Sequence, residues 1–263
     1  MEMLAGFGFL LLFCFSALVG ALLRGRLDEN HLSKENMDAL RLVTGLLVTF
    51  AALVLSLQLS SSRTSFSDAE RNRSLYAGQL ARLGHCLRDL GPPLDETRLK
   101  LRQYTAAVIA STWPREPIPV VAGMPDTRFM AVTGEDSELT RLMSAVARGL
   151  DAAGGADAAS ANTAARCRTD FGLMQVSRWA VIEDAQRPSA GRFIRIISFW
   201  LSLVFLSFGL QVPRRKLSWI VLAIGVVSIA SVMFVIVDLD VPYGGFFGIQ
   251  STAMRNALAD MSL

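Results

Sequence analysis

Two histidines, three cysteines and two knots of acidic residues are what this chain offers for chemistry, and their spacing narrows the choice further. His85 stands directly before Cys86, and neighbouring positions on a helix point in different directions, so the pair does not read as a nucleophile and its base. His31 lies alone in a short polar turn. Neither a His-x-x-x-His metal pattern nor a nucleophile elbow is present. The reading is therefore a non-enzyme with no catalytic residue, no metal site and no cofactor. Glu135-Asp136 with Glu138 precedes an apolar helical pattern, where negative charge complements the helix dipole; helix capping is preferred to a calcium site. The second acidic knot is Asp238-Leu239-Asp240-Val241-Pro242-Tyr243-Gly244-Gly245. Its proline and paired glycines predict a sharp turn at a membrane interface, with Tyr243 suited to the headgroup zone. Asp238, Asp240, Pro242, Tyr243 and Gly245 form this candidate interfacial turn. Its carboxylates are expected to pair with Arg192 or Arg195, the alternative being the lining of an ion vestibule. Cys14 falls in an apolar run, while Cys86 and Cys167 fall in the polar middle of the chain. No short spacing supports a redox or metal site, so reduced thiols are expected, and only an oxidising compartment would join the latter two.

The elements that must position these residues are dominated by four uncharged runs: Met3–Leu23, Leu42–Ser62, Ile196–Pro213 and Leu217–Val237. Each is close to the roughly 20 helical residues needed to cross about 30 Å of hydrocarbon, and lipid demands a closed helix. The first run is preceded by the acidic Glu2 and followed by Arg24-Gly25-Arg26, which argues for a retained helix over a cleaved signal. A hydrophobic fraction of 52% agrees with a membrane protein, and a net charge of only +3 excludes a nucleic-acid binder. The expected organisation is a first helix pair (1–62), a helical aqueous domain (63–192), a second helix pair (193–240) and a C-terminal interfacial tail (241–263).

An even number of crossings puts both termini and the middle domain on one side. Charge does not say which. Arg24, Arg26, Lys34, Arg41, Arg214, Arg215 and Lys216 lie on one side, and Arg63, Arg71, Arg73, Arg187, Arg192, Arg195 and Arg255 on the other. No ionisable residue occupies the middle of any span, which argues against a coupled transporter. The second span carries Gly45, Thr49, Ala52, Ser56 and Ser60 as a small, mildly polar stripe, beside the bulkier Phe50, Val54 and Leu57. Helix packing is the plain reading. The functional one is a pore wall with an apolar constriction, built from several copies around an axis.

The middle segment reads as helical. Tyr76, Leu80, Leu83, Leu87 and Leu90 continue the second span as an apolar seam ending at Gly91-Pro92-Pro93, with Ser65 or Ser67 able to cap a fresh start. Further helices are expected over Asp95–Thr112, about Ser137–Ala153 with Leu139, Leu142, Met143, Val146 and Leu150 inward, and about Ala158–Ala185 with a possible break near Gly172.

Three motifs carry a resemblance. Tyr104 to Pro114 reads YTAAVIASTWP, Phe208-Gly209-Leu210 closes the third span, and Asp238 to Gly245 is followed by Ile249 and Ser251. Together they resemble the bacterial bestrophin-like membrane proteins, with Tyr243 in place of that family's usual phenylalanine. The resemblance implies an all-α, bestrophin-like architecture and a pentameric, ion-conducting assembly in the bacterial inner membrane, its middle domain and termini cytoplasmic. It also implies a pore along the second span, where Thr49, Phe50, Val54, Ser56 and Leu57 are the candidate lining residues. Self-association, lipid and small inorganic ions are the implied partners. The acidic calcium clasp of animal bestrophins is not evident here. The alternative is a non-conducting scaffold whose helical domain binds a partner.

Overall fold

The computed structural model describes residues 2–27, 33–130, 136–154, 157–186, 191–213 and 215–262, with residues 2–5 and 192 described by their backbone alone. His31, Glu135, Arg187 and Arg214, and the side chain of Arg192, lie outside the described residues. Every regular element among them is helical: α1 (Glu2–Arg26), α2 (Lys34–Asp89), α3 (Asp95–Thr112), α4 (Ser137–Ala152), α5 (Ala158–Gln186), α6 (Gly191–Gln211), α7 (Lys216–Leu239) and α8 (Thr252–Asp260), with a single 3₁₀ turn over Pro92–Leu94. Four of them, α1, α2, α6 and α7, are long and apolar enough to cross a membrane. The expected all-α membrane architecture is what the chain adopts.

Two compact units divide the chain. The first comprises Met1–Phe66, Pro188–Val241 and Gly245–Phe247, and the second Ser67–Arg187, Pro242–Gly244 and Gly248–Leu263. The division passes through α2, which continues without interruption where Ser65 or Ser67 could have restarted it. α5 likewise runs unbroken past Gly172.

In the first unit α1 packs along α6 and α7. Phe13 stacks on Phe205 with ring centres 5.1 Å apart. The α1–α6 crossing is set by two glycines. A Cβ on Gly20 would fall 2.1 Å from the Leu206 carbonyl oxygen, and one on Gly209 would fall 2.1 Å from that of Ala17. No larger residue permits such an approach of backbones. Ser16 adds a hydrogen bond across the same pair, donating to the Ser202 carbonyl. The membrane-crossing part of α2 joins this bundle through buried Ala51 and Leu55 and through Gln211, whose amide donates to the Thr44 hydroxyl at 2.8 Å.

In the second unit the seam foreseen on α2 is buried: Tyr76, Leu80, Leu83 and Leu87 enter one core with Leu101, Tyr104 and Val108 of α3 and Leu139, Leu142, Met143, Val146 and Leu150 of α4. Gly91, at φ 79°, ends α2 in the left-handed conformation that glycine adopts without strain. Asp136 caps α4, its carboxylate accepting from the Glu138 N–H at 2.7 Å, as the capping reading of that acidic knot expects. α8 has no counterpart in the sequence reading; it buries Met254 and Ala257 and is followed by buried Met261. The expectation of reduced thiols is overturned, because Cys86 and Cys167 are joined in a disulfide between α2 and α5. Sequence spacing carries no distance between two helices, and folding brings these Cα atoms to 5.6 Å.

Candidate pore-lining face and interfacial turn

An α-helix turns about 100° per residue, which sorts the second span into faces. Thr44, Ala51, Leu55 and Ser62 share one side and are buried in the first unit. Thr49, Phe50, Ser56 and Leu57 fall on the other and are exposed, Phe50 at 51% and Leu57 at 71%. Leu42, Leu46 and Leu53 extend the same exposed face. Val54 lies between the two sides and is half-buried against the bundle core, apart from the other four candidates. The small stripe Gly45, Thr49, Ala52, Ser56 and Ser60 is exposed along its whole length, so it does not serve contacts within this chain. The Thr49 hydroxyl donates to the Gly45 carbonyl at 3.0 Å. With its proton engaged on its own helix, it turns only acceptor lone pairs and a methyl group outward.

At Asp238 the acidic turn after α7 is built differently from the expected ion pairing. Asp238 is buried in the first unit, and its two oxygens accept the backbone N–H groups of Phe246 (2.6 Å) and Phe247 (2.8 Å). Its partners are therefore main-chain donors a few residues onward, not Arg195. Gly245 follows from this: a Cβ there would sit 2.7 Å from the Asp238 Oδ2. Asp240 is the C-cap of α7.

Within the second unit, Pro242 accepts the Ile249 N–H at 2.8 Å through its carbonyl. Tyr243 packs edge-on against Trp113, with ring centres 6.1 Å apart. Arg73 lies beside both rings, its guanidinium carbon 4.5 Å from the Tyr243 centroid and 5.0 Å from that of Trp113. Arg73 is 3% exposed and forms no ion pair with a carboxylate among the described residues. Two aromatic faces thus supply the compensation that a buried cation requires. Trp113 is held in turn by its indole N–H, which donates to the Ile249 carbonyl at 2.7 Å.

Beneath this cluster, the hydroxyls of Tyr76 and Tyr104 meet at 2.6 Å, and Arg178 donates its Nε–H to the Tyr104 oxygen at 3.1 Å. Burial, followed by the neighbouring Tyr104, holds the Tyr76 phenol well above its usual pKa, against the pull of Arg178 and Arg73. Asn72 donates to Asp184 at 2.8 Å. Glu116, after the Trp113-Pro114 corner, accepts from Ser251 and Arg255, tying the start of α8 to the loop that leaves α3. These groups are bound to one another and arranged for order, not for proton transfer.

Sequence reasoning missed Arg73 as a structural residue, counting it among charges near a membrane end. A signal was present. Arg73 precedes Tyr76 by three, and thus sits on the apolar seam that continues at Leu80, Leu83 and Leu87. An arginine in such a seam calls for aromatic partners.

The geometry has counterparts in known proteins. A family model for the bestrophin-like domain matches residues 11–254. The fold is similar to crystal structures of single-substitution variants of a bacterial bestrophin homologue from Klebsiella pneumoniae. One matches with a TM-score of 0.69 at 14% identity, covering 100% of this chain and 99% of the other. A second matches with a TM-score of 0.69 at 13% identity, covering 97% of each chain. A crystal structure described only as that of a membrane protein matches at 0.66 and 15% identity, covering 95% of this chain and 99% of that one. No curated protein sequence matches the chain.

Proposed function

The chain belongs to the bestrophin-like family, and from that premise we propose that it assembles with copies of itself into an ion channel lined by the exposed face of α2. The observation that carries this reading is the separation of faces on α2. Ala51 and Leu55 face the chain's own bundle, while Thr49, Phe50, Ser56 and Leu57 face away from it. A stripe of small and hydroxyl-bearing residues pointing away from its own bundle suits either a second copy or water. With copies arranged around an axis, Phe50 and Leu57 form an apolar neck, and Thr49 and Ser56 offer oxygens beside it. The resemblance to bestrophins is the support for reading five copies, in a bacterial inner membrane with the middle domain cytoplasmic.

The test is reconstitution of the purified protein in planar bilayers, with Phe50→Cys and Leu57→Cys crosslinking in parallel. Currents carried by Na⁺, K⁺ or Cl⁻, with crosslinks forming between copies at these positions, are expected. A protein that stays monomeric in lipid, or an assembly that passes none of these ions at any voltage or pH, overturns the channel. The scaffold reading then stands in its place. The feature favouring it is the loop after α3, where Val120 and Phe129 are more than nine-tenths exposed and suited to a partner's surface.

A further inference from the structure

We propose that Cys86 and Cys167 are a thiol–disulfide exchange site, at which a dithiol reductant from the aqueous phase loosens the end of α2 from α5 and alters conduction along α2. The conduction half of this inference rests on the channel reading above; the exchange half does not.

The bridge lies at the wall of a surface cleft of about 710 Å³ between α2 and α5. The two sulfurs are not equivalent. Cys86 is 8% exposed and lines the cleft, whereas Cys167 is wholly buried. A thiolate entering from solvent therefore meets the Cys86 sulfur, with Cys167 behind it as the leaving group. Arg82 and Arg166 line the same cleft beside Asp89 and Asp170, and a guanidinium near a disulfide draws an anionic thiolate towards it. Asp170 is engaged by Arg82 at 2.7 Å, which leaves Arg166, donating to the Thr163 hydroxyl at 3.3 Å, as the cation that faces the entering group.

The exchange balances. One thiolate of the dithiol bonds to the Cys86 sulfur as the S–S bond breaks, and Cys167 departs as a thiolate that takes up a proton. The second thiol of the reductant then attacks its own bridged sulfur, releasing Cys86 as a thiol. Two electrons pass from the dithiol to the bridge, and the reductant leaves as a cyclic disulfide. A disulfide reached from a cleft on one side exchanges more readily than one enclosed on both.

Its placement gives the exchange a consequence. The bridge fixes the end of α2 to α5, and α2 is the continuous helix that carries Thr49, Phe50, Ser56 and Leu57. Breaking it leaves the Arg82–Asp170 ion pair one turn earlier as the polar tie near this end of α2, with the Asn72–Asp184 hydrogen bond and the shared apolar core holding the two helices further along.

The test uses the full chain with Cys14→Ser, so that only two thiols report. Air-oxidised protein is expected to take up no maleimide-linked polyethylene glycol. After dithiothreitol, without denaturant, it should take up two, and removal of the dithiothreitol followed by excess oxidised glutathione should restore protection. Full labelling of the air-oxidised protein, or protection that outlasts dithiothreitol until the protein unfolds, overturns the site. Arg166→Gln combined with Arg82→Gln should slow reduction several-fold while leaving the final extent unchanged; an unaltered rate overturns the role given to the cleft. In planar bilayers, reduction should change the current reversibly, and Cys86→Ser should abolish that response. Equal currents from fully reduced and fully oxidised protein overturn the switch and leave the channel standing. No current in either state overturns the conduction half together with the channel, while the labelling still decides the exchange.

Discussion

The guanidinium of Arg73, on the longest helix of the chain, lies 4.5 Å from the centre of the Tyr243 ring, in the turn beyond the last apolar helix. With Trp113 beside the same guanidinium, this cation joins three segments far apart in sequence into one corner of the second unit. Tyr243 stands where the family's usual residue is phenylalanine, and its buried hydroxyl has no hydrogen-bond partner among the described residues. Tyr243→Phe should therefore keep the ring over Arg73 and remove a costly polar group, stabilising the protein by about 1 kcal/mol. Tyr243→Ala should destabilise it by about 3–5 kcal/mol, through loss of the ring and of compensation for the buried charge. Thermal unfolding of the detergent-solubilised protein orders the three, and a phenylalanine variant less stable than wild type contradicts the account.

Phe50 gives the sharpest test of the pore. Shrinking it to alanine widens an apolar neck and lowers the cost of wetting it, so Phe50→Ala should conduct more, or open more readily, than wild type in planar bilayers. A ring that served packing would leave a cavity instead, with weakened assembly and no gain in current.

The glycines of the apolar helices differ in kind. Gly209→Ala places its methyl against the Ala17 carbonyl oxygen, whereas Gly225 has open space around it. Gly209→Ala should lose folded protein in size-exclusion thermostability measurements. Gly225→Ala should be neutral or gain up to about 1 kcal/mol from helix propensity. Equal behaviour of the two would remove the basis for the α1–α6 crossing.

Acid should loosen the tie between α8 and the loop after α3. Burial alone would raise the Glu116 pKa, but hydrogen bonds from Ser251 and Arg255 hold it below the ordinary 4.5. A carboxylate lowered on folding stabilises fully above its unfolded value, and that contribution fades as pH falls through the folded one. Stability measured below about pH 5 should fall less in Glu116→Gln than in wild type. The difference should be small, because both partners are partly exposed.

Much of the fold can be read directly from spacing. The inward face of α4 and the seam on α2 follow from three-and-four apolar patterns and are buried in one core, while the four apolar spans follow from continuous runs and are helices long enough to cross a membrane. Asp136 is legible as a cap because capping is local. The remainder depends on distances between segments that no local pattern encodes. Cys86 and Cys167 carry no mark of their pairing. Asp238 looks like an ion-pair partner because carboxylates commonly are, yet two main-chain N–H groups a few residues onward complete it. α8 is short and has only two buried residues to announce it. On α2, residue type does not tell Leu57 from Leu55, and only packing decides which side belongs to the chain's own bundle.

At the crossing of α1 and α6, the atoms that forbid a side chain on Gly20 and Gly209 are carbonyl oxygens of Leu206 and Ala17. A main-chain atom cannot be mutated away. Trimming Leu206 or Ala17 to a smaller residue frees no room, and a glycine kept at one position does nothing for a substitution at the other. The two sites belong to one contact, since a Cβ on Gly20 would also fall 3.1 Å from the Gly209 Cα, and neither is relieved by trimming a neighbouring side chain. In a library of paired variants, second-site rescue should arise around Phe13 and Phe205, where side chain meets side chain, and be absent at these glycines.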